Sequence, residues 1–192
     1  MGLFGGSFDP VHLGHLLVTQ AAREELSLDR IFFIPTAQSP FKPSAPPIPA
    51  SERLRLLRLA LEGETRTEID TQELDRGGVS YTVDTLRHYA SLFPDSALYY
   101  LIGADHATQL SKWREADELA RLAEFIVIPR PGGGAPDLPH PFRGRTLTGF
   151  SMAVSSSQIR ARIRSGQRIN HLVPAAVAEA IGNNRLYLSN SH

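Results

Sequence analysis

Two histidines three positions apart, His12 and His15, follow a glycine pair in the stretch Leu3-Phe4-Gly5-Gly6-Ser7-Phe8-Asp9-Pro10-Val11-His12-Leu13-Gly14-His15. Leu3 and Phe4 read as the end of a buried strand. Gly5-Gly6 can turn where a side chain would clash, so that backbone N–H groups approach a ligand. Asp9-Pro10 reads as a helix cap and first turn, and Leu16, Leu17, Val18, Ala21 and Ala22 as the apolar stripe of the helix that follows. On that helix His12 and His15 share a face. They stand at the end where free N–H groups and the macrodipole favour anions. Strand, glycine turn and two donors at a helix start make a phosphate site. It is neither a P-loop, which needs G-x-x-x-x-G-K-[ST], nor G-x-G-x-x-G. The competing readings are a glycine turn with two surface histidines, and a metal pair, which lacks Glu or Cys at ligand spacing.

Other residues have types suited to the same chemistry. Ser155-Ser156-Ser157-Gln158-Ile159-Arg160 puts hydroxyls and free N–H groups at a helix start and a guanidinium one turn in. That suits a polyphosphate, or else a serine-capped surface helix with Ile159 and Ile163 inward. Gly103-Ala104-Asp105 ends an apolar run, the place for an acid that binds ribose hydroxyls or caps a helix. Of 20 basic residues all but Lys42 and Lys112 are arginine, so either lysine attracts notice. Lys42 lies in a proline-rich loop, where a cation can close over a phosphate or simply be solvated. Arg130 ends an apolar run between two prolines. Trp113 is the only tryptophan, and an amphipathic helix would place it in the core.

The elements that must position these groups follow from periodicity. A helix is predicted over 13–25, a strand over 30–34 and an extended loop over 39–50, which holds five prolines. Helices are predicted over 51–61, with Leu54, Leu57 and Leu61 at helical spacing and Arg53, Arg55 and Arg58 elsewhere on the cylinder, and over 82–92. Strands are predicted over 67–70, 97–102, 125–128 and 145–147. The stretch up to Gly77-Gly78 reads as a turn, 111–122 as a helix and 131–141 as a surface excursion. Ser155 caps a helix through Arg164, and a last helix from Pro174 to Ile181 precedes a frayed tail. Strands alternate with helices for most of the chain. This is an α/β, Rossmann-like three-layer sandwich with a parallel sheet and a small helical C-terminal portion. Ligands in such sheets lie beyond the carboxyl ends of the strands.

At 192 residues the chain can bury the core of one domain: a Rossmann-like core over 1–150 and a helical part over 151–192 carrying the serine-rich motif. Zero net charge and a pI near 7.1 speak against a nucleic-acid partner or an anionic membrane surface. The chain has no cysteine, hence no disulfide, thiolate nucleophile or Cys-ligated metal. No apolar run is long enough to span a bilayer and no signal peptide is visible, so a cytoplasmic location is expected. Oligomeric state is not legible.

The string from Gly5 to His15 resembles the H-x-G-H signature of the nucleotidyltransferase superfamily, in the form G-G-[ST]-F-D-P-x-H-x-G-H. The run Val154 to Arg160 resembles its second signature, I-S-S-T-x-I-R, with Val154 for the first Ile and Ser157 for Thr. Further segments resemble one branch, the nicotinate-nucleotide adenylyltransferases. They are Ser80-Tyr81-Thr82-Val83-Asp84-Thr85-Leu86, Ile102 to Asp105 with Leu110, Trp113 and Leu119, Val127 to Gly132, and Leu172-Val173-Pro174 with Val177, Ile181 and Leu186-Tyr187. In that family a few more residues usually precede the first strand, so either the strand starting at Met1-Gly2 is short or the start is trimmed. Two positions depart from the pattern. Phe41 stands where the loop usually has His in P-P-H-[KR], and Arg114 stands where Tyr often follows the Trp.

The resemblance implies adenylyl transfer from ATP to nicotinate mononucleotide, giving nicotinate adenine dinucleotide and pyrophosphate in NAD biosynthesis. It assigns ATP to Gly5, Gly6, Ser7, Phe8, His12, His15, Gly103, Asp105, Ser156, Ser157 and Arg160, with His15, His12 and Arg160 as the catalytic groups. It assigns the mononucleotide to Lys42, Thr85, Trp113 and Arg130: Trp113 stacks on the pyridine, Thr85 lies by its carboxylate, and Lys42 and Arg130 handle phosphate. The nucleophile is already an anionic phosphate oxygen, so alignment and charge neutralisation suffice. Mg²⁺ is expected to arrive with ATP, largely hydrated, without a protein cage. The alternatives are an adenylyltransferase with another phosphorylated acceptor, such as pantetheine phosphate, and a nucleotide-binding sensor without catalysis.

Overall fold

The computed structural model describes residues 1–41, 48–134, 136–149 and 152–188. The chain runs β1 (Gly2–Gly6), α1 (Leu13–Leu26), β2 (Ile31–Pro35), α2 (Ala50–Ala60), β3 (Thr67–Ile69), α3 (Gln72–Arg76) and α4 (Thr82–Leu92). It continues β4 (Tyr99–Gly103), α5 (Ala104–Ala107), a 3-10 turn (Leu110–Lys112), α6 (Ala116–Leu122), β5 (Glu124–Ile128), β6 (Gly144–Thr146), α7 (Ser156–Arg164) and α8 (Ala175–Asn183). The six strands form one parallel sheet in the order β3-β2-β1-β4-β5-β6.

Successive strand residues point to opposite faces, and here both faces are apolar. Phe4, Ile31, Phe33, Leu101 and Ile126 join one core with Val18 and Ala22 of α1, Leu56 and Leu57 of α2, Ile159 of α7 and Val177 of α8. Leu3, Phe32, Ile34, Tyr100, Ile102, Phe125 and Val127 join the other, with Val83 and Leu86 of α4 and Leu119 of α6. Covering both faces with helices gives the three-layer sandwich that the alternating pattern predicts. A fully buried leucine such as Leu56 or Leu57 contributes about 2 kcal/mol each by removal from water. β1 is as long as β2, despite its minimal lead-in.

The strand order puts the topological switch between β1 and β4. β1 pairs with β2 along its whole length, from Gly2–Ile31 to Gly6–Pro35. Its pairing with β4 ends after Gly2–Tyr99 and Leu3–Tyr100. Beyond those pairs the strands part, and a crevice opens at their carboxyl ends, where α/β sheets bind ligands.

Four local expectations are corrected. The helix predicted over 111–122 is broken: Trp113 is extended (φ −73°, ψ 151°) and Glu115 is left-handed (φ 54°, ψ 49°). Arg87 of α4 pairs with both Glu115 and Glu118, and Arg114 lies over the Tyr81 ring at 4.6 Å, so contacts to α4 override the helical spacing. The stretch read as a turn before Gly77 holds α3, with Asp70 accepting from the Gln72 N–H at 2.9 Å. Arg53 of α2 faces inward and is 1% exposed, because its guanidinium finds two carbonyls there. The segment after α8 is not frayed through Tyr187: Leu186 N–H bonds Ile181 O at 3.0 Å and Tyr187 reaches back to Asp9.

Candidate active site

The first turn of α1 is built by its two histidines. His12, not Asp9, is the N-cap, extended at φ −147° and ψ 169°. Its backbone N–H donates to His15 Nδ1 at 3.1 Å, and the two rings stack with centroids 3.7 Å apart. With Nδ1 used as an acceptor, the proton of a neutral His15 sits on Nε2, leaving that N–H to donate outward. Burial, and secondly the neighbouring His12, push the His15 pKa well below the ordinary histidine value. Burial holds His12 down to about 4. Both rings are therefore neutral donors near neutral pH. The first turn of α1 carries no acidic residue, so the positive end of this helix is uncompensated. Among the described residues His12 Nδ1 is a buried nitrogen without a hydrogen-bond partner.

The glycine turn is shaped from beneath. Phe8 is left-handed (φ 46°) and 2% exposed, and its ring packs on Phe4, Phe33 and His15 at 5.5, 5.2 and 5.1 Å. Such a backbone costs on the order of 1 kcal/mol for a non-glycine residue, which the buried ring offsets. A Cβ on Gly6 would lie 3.1 Å from Phe8 Cζ, and one on Gly5 would lie 2.3 Å from Tyr100 Oη. The second position is therefore closed to any side chain unless Tyr100 moves. Arg53 Nη1 donates to Ser7 O and Nη2 to Thr36 O, both at 2.8 Å, tying the loops after β1 and β2 together.

The serine-rich segment docks directly on this turn. Ser155 caps α7, accepting from the Gln158 N–H, and Ser156 Oγ donates to Pro10 O at 2.9 Å. Arg160 Nη1 donates to Asp9 O at 2.6 Å, and Tyr187 Oη donates to Asp9 Oδ1 at 2.8 Å. Gly14 allows the approach, since a Cβ there would lie 2.7 Å from Val154 Cγ1. The α1 and α7 starts thus converge, and Ser157 is exposed with its hydroxyl 3.1 Å from that of Ser155. Ser156 serves this docking with its hydroxyl.

Beside the two histidines lies a cleft of about 450 Å³. Gly5, Gly6, Ser7, Phe41, Glu73, Thr82, Tyr100, Gly103, Lys112 and Trp113 are among the residues that line it. Trp113 packs edge-on against Phe125 at 6.4 Å, while Phe41 covers it at 5.5 Å. The Trp113 indole N–H is buried without a partner among the described residues. Thr85, expected beside the acceptor, is 0% exposed and is not among the residues that line the cleft. Its hydroxyl donates to Glu73 Oε1 at 2.6 Å and accepts from Arg76 Nη2 at 3.2 Å.

Asp105 and Arg130, assigned by resemblance to different substrates, form an ion pair, and neither lines the cleft. Both are more than half exposed, so the pair itself is worth little and opens easily. Lys42 lies outside the described residues. Sequence reasoning missed Arg53, Glu73, Tyr100 and Tyr187 as parts of the site. The rarity of lysine could have found Lys112, which lines the cleft. Among the described residues there is no cluster of three or more His, Asp or Glu able to hold a metal, and no helix long and apolar enough to cross a membrane.

Comparison with known proteins bears on the family and the fold. Residues 3–162 match the family described as Cytidylyltransferase-like. A protein of Opitutus terrae described as a probable nicotinate-nucleotide adenylyltransferase is 39% identical over 190 residues, covering 97% of each chain. One of Thermus thermophilus with the same description is 40% identical over 187 residues, covering 97% of this chain and 98% of its own. Among solved structures, Plasmodium falciparum nicotinic acid mononucleotide adenylyltransferase complexed with NaAD superposes with a TM-score of 0.78. It covers 97% of this chain and 96% of its own at 19% identity, a likeness of fold. Full-length identity to such relatives, on a sheet opened at the β1–β4 switch, shows that the chain belongs to the nicotinate-nucleotide adenylyltransferase family of cytidylyltransferase-like enzymes.

Proposed function

We infer that the enzyme transfers the adenylyl group of ATP to nicotinate mononucleotide, releasing pyrophosphate and nicotinate adenine dinucleotide. One observation carries this reading. A neutral-histidine phosphate cluster and an aromatic cleft adjoin at the same turn, Gly5 to Ser7. Two phosphorylated substrates entering from the two sides would meet there.

A phosphate oxygen of the mononucleotide attacks the ATP α-phosphorus, and the bond to the β-phosphate oxygen breaks as pyrophosphate leaves. The attacking oxygen carries its own charge, so no general base is needed. His15 Nε2–H donates to the transferring phosphate, where charge grows. His12, Ser157, Arg160 and the N-terminal N–H groups of α1 and α7 hold the polyphosphate. Gly103 and Asp105 take the nucleoside of ATP. Trp113 stacks the pyridine, and Arg130 and Lys42 meet the mononucleotide phosphate. The triphosphate brings a largely hydrated Mg²⁺, which lowers its charge.

Pyrophosphate release from ATP, measured with nicotinate mononucleotide, nicotinamide mononucleotide and pantetheine phosphate in turn, tests the reading. Turnover with the first and little with the third is expected. Fastest turnover with pantetheine phosphate would replace the acceptor, and no release with any acceptor would leave a nucleotide-binding protein.

A further inference from the structure

We propose that Arg87 is a positioning residue: by gripping Glu115 and Glu118 from α4, it sets where the segment bearing Trp113 stands beside the cleft. The kinetic consequence rests on the reading above that Trp113 stacks the acceptor ring. Arg87 acts through that segment and not on the substrate.

Asp84 and Arg87 are three apart on α4 and share a face, as do Glu115 and Glu118 at the start of α6. One guanidinium joins the two faces. Arg87 Nε donates to Glu118 Oε1 at 3.0 Å, and Nη2 donates to Glu118 Oε2 and to Glu115 as well. The grip on Glu118 is therefore the two-point kind that fixes geometry as well as charge. Arg114 adds a second tie, 3.3 Å from Glu115 and 3.9 Å from Asp84, with its guanidinium over the Tyr81 ring. Among the described residues, the hydrogen bonds and ion pairs that link residues 114–118 to another element all run to Asp84 and Arg87. Arg114, which stands where the family pattern often has tyrosine, belongs to the same network and lines the cleft beside Trp113.

The segment needs such a hold. Glu115 is left-handed, a conformation that a residue with a side chain disfavours, and Trp113 two positions earlier is extended. The Trp113 ring meets Phe125 edge-on at 6.4 Å, but its indole N–H has no partner among the described residues, so no hydrogen bond of its own fixes it. The course of the backbone decides where the ring lies. A lone exposed ion pair would be too weak to set that course. Here three carboxylates, Asp84, Glu115 and Glu118, share Arg87 and Arg114. Without Arg87 the three face one guanidinium, and their repulsion drives the start of α6 away from α4.

Trp113 is the only tryptophan, so tryptophan emission reports on this segment alone. The test measures emission wavelength and acrylamide quenching without ligands, then KM for nicotinate mononucleotide and for ATP. Wild type is compared with Arg87→Ala, Arg87→Lys and Arg30→Ala. Arg30 pairs with Glu68 of the edge strand β3 at 3.3 Å and controls for loss of an ordinary surface pair. Arg87→Ala should shift the emission to longer wavelength and increase quenching. It should raise KM for the mononucleotide by roughly fivefold or more, part of an aromatic contact, and leave KM for ATP near wild type. Arg87→Lys keeps the charge without the fork and should fall between, and Arg30→Ala should match wild type. Unchanged emission and quenching in Arg87→Ala would overturn the proposal whatever KM does, because the segment has then not moved. Shifted emission with a wild-type KM for the mononucleotide, or an equal rise in both KM values, would also overturn it. If Arg87→Ala does not fold, Glu118→Gln, which keeps the side chain's size and removes its charge, is read by the same criteria. Failure of the acceptor assignment shows separately, as a wild type that turns over no pyridine nucleotide, and the emission arm then still decides whether Arg87 holds the segment.

Discussion

The hydroxyl of Tyr187 donates to the carboxylate of Asp9 at 2.8 Å, joining the turn that follows α8 to the loop that leads into α1. Arg160 bonds the carbonyl of the same Asp9 at 2.6 Å. Asp9 is thus held from two sides by residues more than 150 positions away. Tyr187→Phe keeps the ring and removes the bond, leaving a largely buried carboxylate oxygen with one donor fewer. A stability loss of about 1–3 kcal/mol is expected, with KM for ATP rising more than KM for the acceptor. Chemical denaturation and steady-state kinetics on the same preparation check both parts. Unchanged stability would make the contact incidental.

His15→Ala should lower turnover by roughly 100-fold or more, the scale of a lost donor to developing charge. Binding of either substrate should change little by comparison, since the group acts where charge grows. Calorimetric titration with ATP separates binding from turnover. Near-normal turnover in a folded variant would remove His15 from the mechanism.

Acid should weaken the fold through the same residues. His12 has an ordinary value of 6.5 and is held at about 4 in the folded protein. The unfolded chain therefore binds more protons between these values, so stability is full above the unfolded value and is lost as pH falls toward the folded one. For His12 the loss approaches about 3 kcal/mol, and His15 adds in the same direction. Denaturation curves of wild type and His12→Gln across that window should converge as pH falls. A constant difference between them would show that His12 is not held neutral.

Most of the sheet was legible because its strands are nearly continuous apolar runs ended by Gly or Pro, such as Ile31–Pro35 and Tyr99–Gly103. The two turns that meet beside the glycine pair were legible as motifs because adjacent residues form each: His12 and His15 in one, Ser155 to Arg160 in the other. The lining of the cleft was not. Glu73 sits in a five-residue helix too short to show a period, and its partner Thr85 comes from another element. Arg53 hid for a different reason. Composition argues that arginine faces water, and only the meeting of two loop carbonyls makes its burial favourable. Trp113 was placed on a helix because local spacing does not register the pull of Arg87 on Glu115 and Glu118.

Arg53 also offers a direct test of how rigid the glycine turn must be. Arg53→Met leaves Ser7 O and Thr36 O without their donors. A loss of about 1–3 kcal/mol for each buried group is the expected scale, accompanied by higher KM for both substrates, since both approach this turn. Arg53→Lys can serve one carbonyl and should fall between. Wild-type stability in Arg53→Met would mean that water replaces the guanidinium without cost.

Trp113 should bind the acceptor without judging it. Its ring and that of Phe41 lie 5.5 Å apart at 42°. A third ring needs roughly 7 Å between its neighbours, two carbon–carbon contact distances, so the pyridine stacks on Trp113 only where Phe41 leaves it or gives way. Stacking depends on the ring face and not on a carboxylate or amide at its edge. Trp113→Ala is therefore expected to raise KM for nicotinate and nicotinamide mononucleotides alike, each by roughly tenfold, the scale of a lost aromatic contact of about 1.4 kcal/mol. The wild-type ratio of kcat/KM, expected to be at least ~30-fold in favour of the acid, should survive. If Trp113→Ala instead collapses the preference, the indole N–H, buried and without a partner among the described residues, is the group that reads the carboxylate.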